Sequence, residues 1–401
     1  MNEILLSLVQ TAIIISFYYI FALKIIKRKE IDVSFFNLLF IYHLFFCLIF
    51  FIFIYFEISD AKSVYFFSSV SGFDNFVDQE ISSVKFELGQ GVMIFIIRAL
   101  TYPLQLTLFS STFLFGMFSF TGLIILYWVV TDKIDNSKIF EANFIKIFFF
   151  FPSLHFWQMS MSKDSLVFLG LMCFILFQKN LIKYFHIGFF SLTLIFLLRP
   201  YLMPFLLVFT FINFIINKKI GYKIKLLLTC LTTIPAIFII FYSLRYVGID
   251  IAKLFDSSGY MPINFNNILV IYREIEGIII TAQSNALSQN AGIDKSNLNF
   301  FFQIFIYLFG PLNFFTDNIL YRIASIENFF LLIYIMLLIS FKKILCIDAF
   351  RIIILLIFIS LLLILSLRTS NYGISMRQKW MILPFFIVFL SNYMPKKINE
   401  K

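Results

Sequence analysis

Charge is scarce in this chain: Asp, Glu, Lys and Arg make up only 13% of its 401 residues. Histidine is scarcer still, with three scattered copies, His43, His155 and His186, and no cluster; His155 stands alone among apolar residues. The four cysteines, Cys47, Cys173, Cys230 and Cys346, lie in or beside apolar segments and form no Cys-x-x-Cys pair, so neither a disulfide framework nor a cysteine metal site is implied. No Gly-x-Ser-x-Gly elbow and no phosphate-binding Walker loop occurs, which leaves zinc, acyl-enzyme and ATP chemistry unsupported. An internal repeat is missing too, which argues against a transporter built from duplicated halves. So is the roughly ten-residue alternation of an outer-membrane barrel.

What is present is apolar from end to end: 61% hydrophobic and 20% aromatic residues, with a mean hydropathy of +0.94. Runs of that length are read as helices in lipid, where every backbone group must be satisfied internally. The expected fold is therefore all-α, a single polytopic integral-membrane domain over 1–401. The net charge of +10 does not imply nucleic-acid binding, because most lysines fall in short loops where they orient helices. Apolar runs read against charge predict about eleven spans, near 4–23, 35–57, 112–130, 142–160, 164–178, 185–199, 202–217, 224–243, 327–341, 350–367 and 379–394. The first lacks a signal-peptide cleavage pattern and is expected to be a retained helix.

Lysine sets the orientation. Lys24, Lys27, Arg28 and Lys29 follow the first span, Lys218, Lys219, Lys223 and Lys225 the seventh, Lys342 and Lys343 the ninth, and Lys396, Lys397 and Lys401 the last. Placing these on the cytoplasmic side puts the N-terminus outside, the C-terminus inside, and two long segments, 58–111 and 244–326, on the outer face. Residues 92–109 and 300–315 are apolar but each holds a proline, and they are expected as re-entrant or interfacial helices. Of nine arginines, seven (Arg98, Arg199, Arg245, Arg273, Arg322, Arg368 and Arg377) then lie outside, which inverts the usual bias and suggests a site for an anionic group.

Four stretches can carry chemistry. In the turn 151–165, Lys163 and Asp164 precede a helix whose N–H groups, backed by a lysine, make an anion site; a capped hairpin with a surface ion pair fits the spacing as well. In 368–380, Arg377 and Lys379 stand within a turn of a helix start beside Trp380, an interface-type residue, and cations there oppose the helix dipole. A bound diphosphate or a carboxylate such as Glu274 or Glu276 would compensate them. The long loop 244–299 carries Arg245, Arg273 and Glu274, and loops of that length are uncommon without a purpose. After the second span, Asp60 is followed five residues later by Tyr65, an arrangement in which a carboxylate can deprotonate an acceptor hydroxyl, although a solvated Asp at a loop start is the commoner case. Arg199-Pro200 divides two short spans, a pattern that marks binding sites in membranes as readily as it marks a tight hairpin.

An Asp-x4-Tyr outer loop, a Pro-Ser-x3-Trp-x5-Lys-Asp turn, an Arg-Pro between short helices and an Asn-x-Gly-x3-Arg-Gln-Lys-x3-Leu-Pro stretch near the end resemble bacterial polysaccharide repeat-unit polymerases, the O-antigen or capsule group related to lipid-linked glycosyltransferases. The resemblance implies an inner-membrane transferase facing the periplasm that joins oligosaccharide units carried on undecaprenyl diphosphate, with a flippase and a chain-length regulator as pathway partners. It implies no cofactor and no metal. Arg377, Arg199 and Lys163 would stand near the diphosphate, Arg245 or Arg273 on the sugar or second substrate, and Asp60 or Asp164 would be the base, with Tyr65, Glu274 and Lys379 among the substrate-binding residues. Arginine suits such a role because it is always charged and grips phosphate oxygens in pairs. One departure is that none of Arg199, Arg245 or Arg273 has the glycine eleven positions later that paired outer-loop motifs of the family carry. A transferase using a polyprenyl-phosphate sugar and a flippase of the same lipid-linked sugar are the alternatives.

Overall fold

The computed structural model describes residues 3–29, 31–56, 65, 88–131, 144–159, 161–216, 298–315, 319–340, 348–369 and 371–391. Within them the chain forms helices and the turns that join them: α1 (Glu3–Arg28), α2 (Val33–Phe56), α3 (Gln90–Thr101), α4 (Leu108–Thr131), α5 (Pro152–Gln158), α6 (Lys163–Lys179), α7 (Phe185–Leu198), α8 (Met203–Ile216), α9 (Phe300–Phe309), α10 (Ile319–Ser340), α11 (Ala349–Arg368) and α12 (Tyr372–Ser391). Six of these, α1, α2, α4, α10, α11 and α12, are long and apolar enough to cross a membrane, or seven spans if the bent pair α5–α6 counts as one. A multi-pass helical membrane protein follows. About eleven spans were expected; among the described residues some of those stretches are broken or short, for physical reasons.

The expected span at 142–160 is broken. Pro152 has no N–H to give and sits at the start of α5, while Phe151 before it is extended (φ −65°, ψ 122°), as residues preceding proline are. A short 3₁₀ turn, Ile147–Phe150, precedes it, and α5 meets α6 at 112°. The predicted spans 185–199 and 202–217 are helices of 14 residues each, about 21 Å long against a hydrocarbon core of about 30 Å. Helices α3 and α9, in the two proline-containing apolar stretches, have 12 and 10 residues and are shorter still. The predicted span 224–243 lies outside the described residues.

By packing, the chain divides into two compact units: Met1–Arg199 with Ile344–Cys346 and Ile387–Lys401, and Pro200–Lys343 with Ile347–Phe386. In the first unit every residue from Asp164 to Gln178 on α6 is buried, so this helix is enclosed on all sides. It packs against α4 and α7, and small residues set the approach. A side-chain carbon at Gly122 would stand 2.9 Å from the Phe168 ring, and one at Gly188 would stand 2.5 Å from the Phe177 ring. Ser191 Oγ donates to the Gly170 carbonyl at 2.6 Å, a polar tie between α7 and α6. Helix α1 is the opposite case: Ile4, Leu8, Ile13, Phe17 and Phe21 are exposed, the pattern of a helix facing lipid, and polar staples hold it to its neighbours. Tyr18 Oη and Thr121 Oγ1 lie 2.9 Å apart, and Tyr19 Oη donates to Asn37 Oδ1 at 3.0 Å. Between α1 and α2, Asp32 caps α2 by accepting from the Ser34 and Phe35 N–H groups and pairs with Lys146 at 3.2 Å.

In the second unit α11 packs against α8 and α9, and α9 against α10. The turn after α9 is stapled to α10: Asn328 Nδ2 donates to the carbonyls of Gly310 (2.7 Å) and Pro311 (3.3 Å), and Ser325 Oγ to that of Asn313 (3.1 Å). Phe386 of α12 stacks on Phe358 of α11 at 4.8 Å. Helix α12 starts at Tyr372, seven residues before the predicted span, because Asn371 Oδ1 accepts the Ile374 N–H and caps it.

Candidate functional site

The first unit joins two of the sequence-predicted residues in one contact. Helices α6 and α7 run antiparallel, which sets the first turn of α6 against the last of α7. Ser162 Oγ caps α6, accepting from the Asp164 N–H at 3.4 Å, while Arg199 closes α7 with its N–H on the Ile195 carbonyl at 2.7 Å. The Arg199 Nη2 atom then reaches Asp164 Oδ1 at 2.6 Å, with side chains only 11% and 7% exposed. Each charge also suits its own helix end, a carboxylate at the N-terminus of α6 and a guanidinium at the C-terminus of α7. Lys163 is the half-buried first residue of α6, next to the pair in sequence. The second carboxylate oxygen of Asp164 takes no hydrogen bond among the described residues, so this oxygen remains able to accept a proton or a sugar hydroxyl. Gln158, at the end of α5, is fully buried and its amide likewise has no hydrogen-bond partner among the described residues.

The second unit holds a different arrangement around α12. Arg377 and Lys379 are not within the first turn of the helix; they are its sixth and eighth residues, because the Asn371 cap moves its start back. Lys379 is buried and donates from Nζ to Asn328 Oδ1, with Glu327 near enough to act on it electrostatically and the Trp380 ring centroid 5.4 Å away. Trp380 is itself fully buried rather than a surface anchor. Thr369 Oγ1 donates to Gln378 Oε1 at 2.8 Å. Arg377 is half-buried, and Arg368 lies over the Tyr201 ring at 4.5 Å.

Tyr65 is tied down: its hydroxyl donates to the Leu106 carbonyl at 2.9 Å, and burial pushes its ionisation above the ordinary tyrosine value. A phenol so committed serves as an anchor beside the head of α4 more readily than as an acid or base. Asp60, Arg245, Arg273, Glu274 and Glu276 lie outside the described residues. Among the described residues no group of three or more His, Cys, Asp and Glu side chains has the geometry of a metal site. Sequence reasoning missed two partners. Asn328 receives Lys379 across 51 residues. His155 does not stand alone but meets His43 across 112 residues. Neither has a local signal, since an Asn or a His inside an apolar helix reads the same whether or not it is met by another helix.

No protein-family model, no curated protein and no solved structure matches the chain.

Proposed function

We propose that this protein is a membrane glycosyltransferase that joins oligosaccharide units carried on a polyprenyl diphosphate, as polysaccharide repeat-unit polymerases do. The reading rests on the Asp164–Arg199 contact. Each residue comes from a separate stretch that resembles the polymerase pattern, the Lys-Asp turn and the Arg-Pro turn, and the two meet at 2.6 Å. Burial of both strengthens their field and keeps water from competing for it.

Two tasks follow from the chemistry. A diphosphate leaving group needs fixed positive charge, which Lys163 supplies from the start of α6 and Arg199 from the end of α7. The attacking sugar hydroxyl needs an acceptor for its proton, and the unbonded oxygen of Asp164 supplies one. Arg377 and Lys379 add a second cationic region within the other unit, suited to the same anionic class of ligand. The transfer breaks the bond between the anomeric carbon and the diphosphate oxygen, forms the new glycosidic bond, and leaves the hydroxyl proton on the base. The direct test is deletion of the gene followed by gel analysis of surface glycan. Loss of the ladder with one repeat unit retained supports the polymerase; an unchanged ladder removes it, and complete loss of surface glycan points to a flippase or an early transferase.

A further inference from the structure

The first unit also holds a pair of buried histidines that the transferase reading does not use. His43, on α2, and His155, on α5, are both fully buried, and their Nδ1 atoms face each other at 2.8 Å. Each outer nitrogen meets a backbone carbonyl. His43 Nε2 is 2.8 Å from the Gly116 oxygen, and His155 Nε2 is 2.6 Å from the Phe149 oxygen.

The proton inventory follows from these four atoms. A carbonyl oxygen only accepts, so each Nε2 must carry hydrogen. Two neutral rings have two ring protons in all, and both are then used at Nε2. The Nδ1 atoms would face each other as two lone pairs at 2.8 Å, a repulsive contact. Moving one proton inward only transfers the conflict. On His155 it leaves a bare Nε2 against the Phe149 oxygen. On His43 it leaves one against the Gly116 oxygen, and Ser119 Oγ, 3.4 Å away, already donates to that oxygen at 2.9 Å. Three protons satisfy all four nitrogens; two do not. A metal ion does not fit the gap, since two nitrogens at about 2.0–2.1 Å in tetrahedral geometry stand about 3.3 Å apart.

We propose that His43 and His155 together form a buried binding site for one proton, held between their Nδ1 atoms and shared by α2 and α5. With the proton in place, a continuous chain runs from the Gly116 carbonyl on α4 through α2 and α5 to the Phe149 carbonyl. Without it, one ring must turn or the two must separate, so proton occupancy is coupled to how α2 and α5 meet. The other titratable or polar groups facing the rings are Tyr42, whose ring lies edge-on to His155 while its hydroxyl donates to the Phe150 carbonyl, Ser119, and Cys47 one turn along α2, whose Sγ donates to Met159 Sδ at 3.1 Å. No carboxylate among the described residues touches either ring. The charge is therefore met by two carbonyl dipoles and spread over two rings.

The test is ring-nitrogen NMR of the full chain in lipid nanodiscs, labelled with ¹⁵N-histidine and carrying His186→Gln, so that only the pair gives signal. As the pH is lowered, the pair should gain one proton in total, with both Nε2 atoms protonated and a single hydrogen coupled to both Nδ1 atoms. Introducing His43→Gln should abolish the coupled signal. The proposal fails if the two histidines take up protons independently, if the pair stays neutral at the lowest pH at which the chain remains folded, or if the coupled signal survives His43→Gln.

Discussion

Each unit buries a cation, and the two are compensated in opposite ways. Arg199 in the first unit meets a carboxylate, and the pair as a whole is neutral. Lys379 in the second hydrogen-bonds the neutral amide of Asn328, whose other end is already occupied by two backbone carbonyls. Breaking the first arrangement strands a buried opposite charge, whereas removing the lysine from the second strands a neutral amide oxygen and takes the lysine's field from Glu327, whose half-buried side chain still reaches solvent. The first contact is therefore expected to be costly to break and the second cheap, although each belongs to a cationic region of its own unit proposed for an anionic ligand.

The largest effect should come from Arg199→Ala, which leaves Asp164 buried without its partner and costs about 3–5 kcal/mol, read as lowered unfolding stability in detergent. The double variant Asp164→Asn with Arg199→Gln removes both charges and should recover much of that stability while forming no polymer. Recovery of stability and of polymer together would make the pair structural only. Next is Asn328→Leu, which takes the acceptor from Lys379 and the donor from the Gly310 and Pro311 carbonyls; a loss of roughly 2–4 kcal/mol is expected. Lys379→Met should lose less than half as much, because the group hydrogen-bonded to the lysine is neutral and Glu327 is only half-buried, while shortening or abolishing the glycan ladder. A Lys379→Met loss as large as that of Arg199→Ala would erase the contrast between the units.

Smaller effects separate packing from charge in the first unit. Gly188→Ala places a carbon 2.5 Å from the Phe177 ring and should cost about 1–3 kcal/mol without a specific change in chain length. Asp32 gives a still smaller, pH-dependent term. Burial alone would raise its carboxyl, but the Phe35 and Ser34 N–H groups and Lys146 outweigh that and hold it below the usual carboxylate value. A depressed folded-state value means the stabilisation is fully present above the ordinary value of about 3.9 and is lost as pH falls through the lower folded value. The side chain is 46% exposed, so solvent screening keeps the loss within about 1 kcal/mol, and Asp32→Asn, which keeps the caps, should flatten that part of the acid stability curve.

The helical membrane class was legible from hydropathy alone, and the start of α6 nearly so: Asp164 marks it in the local sequence, but the residue that caps it is Ser162, which accepts the Asp164 N–H. The break within the expected span 142–160 was not legible. Hydropathy averages over Phe151-Pro152, yet one missing N–H and one extended residue suffice to break the helix there. Nor does a hydropathy window see that Asn371 turns a polar, glycine-containing stretch into the first turn of α12. Within the candidate site, Asp164 and Arg199 could each be chosen from their turns, but their meeting depends on how α6 and α7 pack, set by Gly170, Gly188 and Ser191. The Lys379–Asn328 and His43–His155 contacts were illegible for the same reason, as each joins helices far apart in the chain.

The central claim is tested most directly by reconstituting the purified chain in vesicles with an undecaprenyl-diphosphate-linked oligosaccharide and measuring product length. The native chain should yield products of two or more repeats with release of undecaprenyl diphosphate, and the folded Asp164→Asn/Arg199→Gln variant should yield none. No elongation by the native chain, or equal elongation by the variant, would contradict the account.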